Sequence, residues 1–210
     1  MQSKGHAVGC YYCVLAEAGF FPVEWLETYQ HANSHLPGHP VRQKTPGIEL
    51  NTGALGHGLP VAVGLALAAK KSSSTRRSFG ITGDGELAEG SNWEAAWRRR
   101  TTAWIIWSLL MIRTTSSWPG RRAQIMNTDP LADKWRAFGM EVSECQGNDM
   151  ASVVSVIEGL KQEGKPNVII ANTTKGAGGF PLSSGSPGVA PPGAARRRNC
   201  TGHQEELKDE

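Results

Sequence analysis

An aspartate between two glycines, Gly83-Asp84-Gly85, follows residues 78–82, which have the composition of a short strand. In a parallel sheet, ligands bind at the carboxyl ends of the strands. A carboxylate at that place is a good ligand for Mg²⁺, which prefers oxygen ligands and usually shares them with a phosphate. The tripeptide alone favours a tight turn with a solvated Asp84, because glycine-flanked aspartate is common in turns. The magnesium hypothesis therefore depends on the residues that join Asp84.

A second glycine-rich segment, residues 53–58, reads Gly-Ala-Leu-Gly-His-Gly and precedes an apolar helical pattern. Its glycines permit close contact between the backbone and a planar or phosphorylated ligand, although a glycine-rich helix start is the ordinary explanation. Three histidines spaced four apart, His31, His35 and His39, suggest a zinc ligand set. Pro37 interrupts any helix that would present them together, which disfavours zinc.

These segments must be positioned by regular secondary structure. The periodicity of apolar residues and the placement of turn residues predict alternating strands and helices. The predicted strands lie near residues 78–82, 105–112, 140–143 and 167–171. The predicted helices lie within residues 3–20, 23–32, 59–71, 91–96, 129–138 and 148–164. This order predicts the α/β fold class, with a mostly parallel sheet covered by helices on both faces.

Two of these helices carry more detailed expectations. The helix over residues 59–71 is apolar nearly all round, which predicts that it is buried. Ser91 and Glu94 have the spacing of a capping box at the start of the next helix.

The composition excludes several classes of protein. Hydrophobic residues make up 39% of the chain and charged residues 20%, which argues against global disorder. No apolar run has the length of a membrane span, and the residues after Met1 are polar rather than a signal sequence. Four cysteines in 210 residues do not form a disulfide framework. A globular cytoplasmic domain is expected.

Charge is distributed unevenly along the chain. Residues 95–128 contain six arginines and no acidic residue, and residues 164–204 contain five basic residues and no acidic one. The first of these windows also holds four of the seven tryptophans. A basic, aromatic stretch could bind nucleic acid or form a solvated or disordered face. A third interpretation is that these residues are not the sequence with which the fold was selected.

Taken together, the motifs resemble those of transketolases. The motifs in the order and spacing of that family are Ser3-Lys4-Gly5-His6 and residues 36–40, 52–58, 83–90, 129–135 and 173–176. The resemblance covers about residues 3–96 and 121–177. The chain looks like the N-terminal, diphosphate-binding subunit of a split bacterial transketolase. We expect one such domain over residues 1–177, lacking an N-terminal stretch, and an irregular tail over residues 178–210.

The resemblance implies a site for thiamine diphosphate and Mg²⁺. Asp84, between Gly83 and Gly85, would bind the metal, and His6 would lie near the cofactor and its phosphates. His39 would face the hydroxyls of the donor sugar, and Glu89 would lie at the subunit interface. His6, His39 and Glu89 are the expected catalytic residues. The residues expected to contact the cofactor elsewhere are Gly53, Ala54, Leu55 and Lys175.

The sequence departs from the family pattern at the metal site. The family has an asparagine near position 114 and a carbonyl ligand two residues on, where this chain has Thr114 and Ser116. A tryptophan–histidine pair of the family is also missing near Val189. Both departures fall in the acid-free windows. Permitted codings of both windows, read in another frame, restore the asparagine and the pair. We therefore expect residues 97–122 and 178–204 to be translated out of frame, and the written chain to bind the magnesium–cofactor complex poorly.

The resemblance implies half of an enzyme. In this family, the glutamate that activates the aminopyrimidine belongs to a domain that this chain lacks. Transfer of two-carbon ketol units between sugar phosphates, in the cytoplasm and the pentose phosphate pathway, would therefore need a C-terminal partner subunit, with two copies of each. Neither nucleic acid nor membrane is an expected partner.

Three alternatives remain. A deoxyxylulose-phosphate-type synthase is disfavoured by the Glu-Leu-Ala-Glu-Gly sequence at residues 86–90. A degenerate, non-catalytic product would fold partly and bind little. A nucleic-acid binder would use the arginine–tryptophan segment and bind with strong salt dependence.

Overall fold

In the part of the chain that the structure describes, four strands form one parallel sheet at the centre of the fold. They are β1 (Ser78–Gly83), β2 (Trp107–Thr114), β3 (Glu141–Gln146) and β4 (Asn167–Thr173). Their spatial order is β1-β2-β4-β3, and every neighbouring pair is parallel. The parallel sheet is confirmed. Each strand ends one to three residues later than the sequence predicts.

The computed structural model describes residues 1–97, 107–114, 128–161, 164–174 and 177. By internal contacts the chain divides into Met1–Thr173 and Thr174–Glu210. The fold described below is that of the first unit. Within the described residues, none of the helices has the length and apolar character needed to cross a membrane.

Within the described ranges, five α-helices accompany the sheet. They are α1 (Val8–Glu17), α2 (Gly58–Lys71), α3 (Gly90–Trp97), α4 (Leu131–Ala137) and α5 (Met150–Glu158). Short 3₁₀ turns cover Gly5–Ala7, Val23–Thr28 and Gly85–Ala88. The predicted helix over residues 23–32 is therefore only the second of these turns.

The strands bury different side chains on their two faces, as a period of two requires. On one face, Leu109 and Met111 of β2 belong to a core cluster that also contains residues of α2, α3 and α4. On the other face, Leu110 and Ile112 pack against a cluster that contains Val153 of α5. Helices therefore lie on both faces of the sheet, as predicted.

A separate cluster surrounds α1 and supports the long loop before α2. Its members are Val8, Tyr12, Leu15, Ala16, Phe21, Leu36 and Ile48. The Tyr12 hydroxyl donates a hydrogen bond of 2.9 Å to the carbonyl oxygen of Pro37. This bond fixes the loop immediately before His39.

Two detailed expectations about the helices were wrong. Helix α2 is not buried all round, because only one side faces the core, and Leu65 on another side is 49% exposed. The capping box at Ser91 does not form either. Helix α3 begins at Gly90, and the Ser91 hydroxyl donates to the carbonyl oxygen of Gly56 at 2.7 Å. A long-range partner replaces the local one.

Candidate active site

Asp84 lies where the carboxyl ends of β1 and β2 meet. Its amide donates to the carbonyl oxygen of Ile112 at 3.1 Å. Its carboxylate accepts from the amide of Gly85 at 2.8 Å and from the amide of Thr114 at 3.3 Å. The half-buried Asp84 and Thr114, two of the predicted metal ligands, are therefore neighbours at one edge of the sheet.

The motif Ser3-Lys4-Gly5-His6 packs against two other predicted site segments at Gly5. A Cβ added at Gly5 would lie 2.6 Å from Cδ2 of His39 and 2.9 Å from the amide nitrogen of Gly53. These distances are too short for a side chain, so only glycine fits there. The close approach brings the backbone beside His6 next to His39 and to the glycine-rich loop.

Glu86 joins three segments that are distant in the sequence. This residue is 2% exposed. Its Oε1 accepts hydrogen bonds from the Gly56 amide, at 2.9 Å, and from the Ser3 hydroxyl. Its Oε2 accepts from the Gly83 amide at 3.3 Å. The N-terminal motif, the loop over residues 53–58 and the aspartate turn therefore meet at one buried carboxylate.

Lys4 lies beside the aspartate turn. A Cβ added at Gly83 would lie 3.0 Å from Cδ of Lys4. Burial lowers the pKa of the Lys4 ammonium, and the negative charges of Glu86 and then Asp84 oppose that effect. A positive group therefore stands close to the carboxylates of the candidate site.

Glu89 lies against the same glycine-rich loop. Gly56 has a φ of +88°, and a Cβ added there would lie 2.6 Å from Cβ of Glu89. The Glu89 residue is exposed. The structure thus brings the predicted interface residue next to the glycine-rich loop and leaves it exposed.

The remaining predicted residues divide into two groups. Gly53, Ala54 and Gly85 are exposed, as are His6 and His39, and Leu55 is half-buried. Ser116 and Lys175, the predicted carbonyl ligand and phosphate contact, lie outside the described residues. Among the described residues, no group of three His, Cys, Asp or Glu side chains could hold a metal ion, so the histidines four apart form no zinc site.

Sequence reasoning missed Glu86 and Lys4 although both stand within recognised motifs. Their partners are backbone amides and charges from other segments, which no local pattern reports. One indication was available in the sequence, because Glu86 directly precedes the apolar Leu87. An acidic residue that is buried beside an apolar one needs a polar partner.

The end of β2 has a different character. Arg113 forms an ion pair of 3.2 Å with Asp129 and donates to Oδ1 of Asn172 at 3.4 Å. The Thr173 hydroxyl donates to the Arg113 carbonyl at 3.1 Å. The residue immediately before Thr114 in β2 therefore carries a guanidinium group that is paired with a carboxylate.

A cavity of about 520 Å³ lies elsewhere in this unit. Its described lining includes Glu49, Leu65, Arg76 and Phe79, and none of the predicted site residues. Its lining offers no arrangement of catalytic groups, so the candidate site is assigned from the converging motifs instead.

The chain is similar in sequence to a known family and to several known proteins. The chain matches the family model described as transketolase, thiamine diphosphate binding domain, over residues 1–196. It is 61% identical over 180 residues to an apulose-4-phosphate transketolase subunit of Actinobacillus succinogenes, covering 85% of this chain and 64% of that protein. It is 39% identical over 183 residues to a 6-deoxy-6-sulfo-D-fructose transketolase subunit of a Clostridium species, covering 84% and 64%.

Two solved transketolase structures are similar to the fold of this chain. The transketolase of Campylobacter jejuni matches with a TM-score of 0.73 and 28% identity, over 84% of this chain and 29% of that one. The transketolase of Leishmania mexicana matches with a TM-score of 0.71 and 29% identity, over 82% and 28%. The chain spans less than two thirds of the length of the two curated relatives named above.

Proposed function

Because the chain belongs to the transketolase thiamine diphosphate-binding family, we propose that it is the N-terminal subunit of a two-subunit transketolase. In this proposal it transfers two-carbon ketol units between sugar phosphates together with a C-terminal partner subunit. The subunit names of the two relatives favour this function over a deoxyxylulose-phosphate-type synthase.

The observation that carries the proposal is the meeting of three motif segments at Glu86. The segments hold His6, the residues 53–55 and Asp84, and their amides or hydroxyls bind the same carboxylate. Residues expected to contact one cofactor are thus positioned by one set of hydrogen bonds. Such pre-organised placement is what a cofactor-binding site requires.

The residues around Asp84 fit a magnesium ion that is held mainly by phosphate. Among the described residues, none has a heavy atom within 4 Å of a Cβ added at Gly85, so there is open space at the residue after Asp84. Asp84 supplies one carboxylate, and Mg²⁺ in phosphate sites is commonly bound through one or two. In our proposal Asp84 binds the metal, and Thr114 and Ser116 contribute more weakly.

The other residues bind and orient the cofactor and the sugar. When bound, thiamine diphosphate supplies the carbon nucleophile and electron sink of the reaction. Positive charge at Lys4 and Lys175 favours the diphosphate anion. His6 and His39 hold or move protons near the cofactor and the sugar hydroxyls, and Glu89 contacts the partner subunit.

We also propose that the written chain binds the magnesium complex weakly. Thr114 has a shorter side chain than the expected asparagine, and an octahedral Mg²⁺ site tolerates little distortion. The segments 97–122 and 178–204, in large part outside the described residues, are proposed to be out of frame, with the domain ending near residue 177. Coding DNA that cannot yield the restored reading would refute this part.

Assembly and activity provide the main test. The purified chain is assayed for ketol transfer with saturating thiamine diphosphate and Mg²⁺, alone and with the C-terminal subunit. We expect no turnover by the chain alone. With the partner present, we expect turnover by a complex that contains more than one copy of each subunit. In the cell, we expect this complex in the cytoplasm. Turnover by the chain alone would refute the two-subunit proposal. No turnover in the complex of a frame-restored chain would favour the degenerate-product alternative.

A further inference from the structure

Glu86 is buried beneath the proposed site and accepts hydrogen bonds from three segments that contribute to it. The three donors that it accepts from are Ser3, Gly56 and Gly83, which belong to segments more than twenty residues apart. Ser3 is itself 1% exposed, and its hydroxyl oxygen accepts from the amide of Gly58 at 3.1 Å. The hydrogen bonds therefore continue from Glu86 to the start of α2.

Both oxygens of the Glu86 carboxylate are needed as acceptors. Oε1 faces the Gly56 amide and the Ser3 hydroxyl, and Oε2 faces the Gly83 amide. An amide group of the same shape would place an NH₂ donor against at least one backbone N–H. A buried donor that loses its acceptor is costly, so a carboxylate is required at this position.

The charge of Glu86 is also compensated locally. Lys4 precedes Gly5 on the same segment and lies beside Gly83. Burial lowers the pKa of its ammonium, and the nearby charges of Glu86 and then Asp84 oppose that effect. A buried carboxylate with donors at both oxygens and a neighbouring cation satisfies the conditions under which a buried charge is stable. Glu86 is thus held in place through both of its carboxylate oxygens.

We propose that Glu86 is the positioning residue that holds the N-terminal motif, the glycine-rich loop and the aspartate turn in the arrangement that receives the cofactor. This inference rests on the proposed function and deepens it. Glu86 does not touch the cofactor in this proposal. It acts through Gly56, Gly83 and Ser3, whose positions set those of residues 53–55, Asp84 and His6.

The test compares Glu86→Gln with the parent chain and with Glu158→Gln, which removes an exposed carboxylate at the end of α5. Amide hydrogen exchange is measured by NMR on the full chain without cofactor. We expect Glu86→Gln to accelerate exchange at Gly56, Gly58 and Gly83 by about tenfold or more. Exchange in the core strand β4 should be unchanged. Glu158→Gln should change none of these rates.

Cofactor affinity is the second measurement. Titration calorimetry with thiamine diphosphate and Mg²⁺ gives the ratio of dissociation constants between variant and parent. We expect Glu86→Gln to weaken binding by about tenfold and Glu86→Asp, which keeps the charge but is one methylene shorter, to recover part of it. If Glu86→Gln does not fold, Ser3→Ala replaces it, with faster exchange expected at Gly58 and weaker binding.

The outcomes separate this inference from the proposed function. A frame-restored parent chain that shows no binding even in complex with the C-terminal partner subunit refutes the proposed function. A parent that binds, with a Glu86→Gln chain that binds equally well or exchanges at parental rates at Gly56 and Gly83, overturns the positioning role alone. Faster exchange in β4 as well would also overturn it, because that result indicates general loss of stability.

Discussion

The two sides of the candidate site are built in different ways. On the motif side, Ser3, Gly56 and Gly83 all bind the buried carboxylate of Glu86. On the β2 side, the strand end presents Arg113 and Thr114, and Arg113 pairs with the half-exposed Asp129. The first side joins three of the motif segments, and in our proposal the second keeps the fold but lacks a metal-binding side chain.

The difference teaches which features of a fold tolerate a changed sequence. A parallel strand needs its backbone donors and acceptors and an apolar surface, and β2 satisfies both, with six residues registered against β1 and seven against β4. A metal site needs a particular side chain at a particular place. In our proposal, the segment around Thr114 therefore retains a strand and lacks a metal ligand.

The largest expected effect tests whether β2 is a true core strand. Leu109→Ala removes a side chain that is 0% exposed, and we expect it to lower the free energy of unfolding by about 2–5 kcal/mol, through lost burial and a cavity. Urea unfolding of the purified chain measures this change.

The matched variant is Ile170→Ala in β4, whose side chain belongs to the same core cluster as Leu109. Both variants should cost a similar amount. A loss below about 0.5 kcal/mol for Leu109→Ala alone, the size of a surface substitution, would contradict the burial of β2 and remove the basis of the comparison.

The next effect concerns the residue shared by both sides. Asp84→Ala removes the only proposed carboxylate ligand, and we expect the magnesium-dependent part of thiamine diphosphate binding to weaken by about 100-fold, or about 2.8 kcal/mol. Calorimetry with and without Mg²⁺ measures it. Asp133→Ala, at an exposed carboxylate of α4, is the control. Equal magnesium dependence in Asp84→Ala and the parent would exclude Asp84 as the ligand.

A gain of binding would sharpen the contrast between the two sides. Thr114→Asn restores an amide oxygen beside Asp84, where the Thr114 amide already donates to the carboxylate at 3.3 Å. We expect about tenfold tighter magnesium-dependent cofactor binding, the size of effect that ligand-supporting groups produce. Thr173→Asn, at the matching end of β4, should give no gain. Unchanged affinity in Thr114→Asn would show that the missing side chain is not what weakens the site.

The sequence predicted the regular elements better than the site's connections. The β4 strand was predictable because Val168, Ile169 and Ile170 form an apolar run of strand-forming residues, all buried in the structure. The start of α5 was also predictable, since Asp149 is an N-cap residue and its carboxylate accepts from the Ala151 amide at 3.0 Å. Both signals are local.

Long-range hydrogen bonds could not be predicted in the same way. Ser91 has the spacing of a capping box with Glu94, but its hydroxyl binds the Gly56 carbonyl from a distant loop. Glu86 has no distinguishing spacing, and its role depends on three backbone and side-chain donors that only the fold assembles. The motifs predicted the candidate site residues, whereas the contacts that fix those segments required the structure.

A smaller effect is expected at the loop that carries His39. Tyr12→Phe removes the hydrogen bond to the Pro37 carbonyl, and we expect a loss of about 1 kcal/mol in the free energy of unfolding at neutral pH. Burial raises the pKa of the Tyr12 phenol above its ordinary value. The stabilisation is therefore present below the unfolded-state pKa of about 10 and is lost as pH rises through the folded-state pKa.

Urea unfolding between pH 7 and pH 11 tests this expectation. The parent should lose stability above about pH 10, and Tyr12→Phe should lose less over the same range. Tyr29→Phe, with its half-buried ring in the same cluster, is the matched control. An identical alkaline loss in the parent and Tyr12→Phe would show that another group causes it.

The smallest effect concerns the ion pair between Arg113 and Asp129 on the β2 side. Arg113 and Asp129 are 29% and 35% exposed and 3.2 Å apart, so solvent and salt screen their attraction. We expect Arg113→Gln to change the free energy of unfolding by about 0.2–1 kcal/mol, with the difference shrinking at high salt. Urea unfolding at low and high salt measures both values, and Arg136→Gln, in a more exposed pair with Asp133, should cost less still. A loss above about 2 kcal/mol that persists at high salt would mean that the β2 side is held as firmly as the motif side. The two sides would then differ only in their metal chemistry and not in how they are fixed.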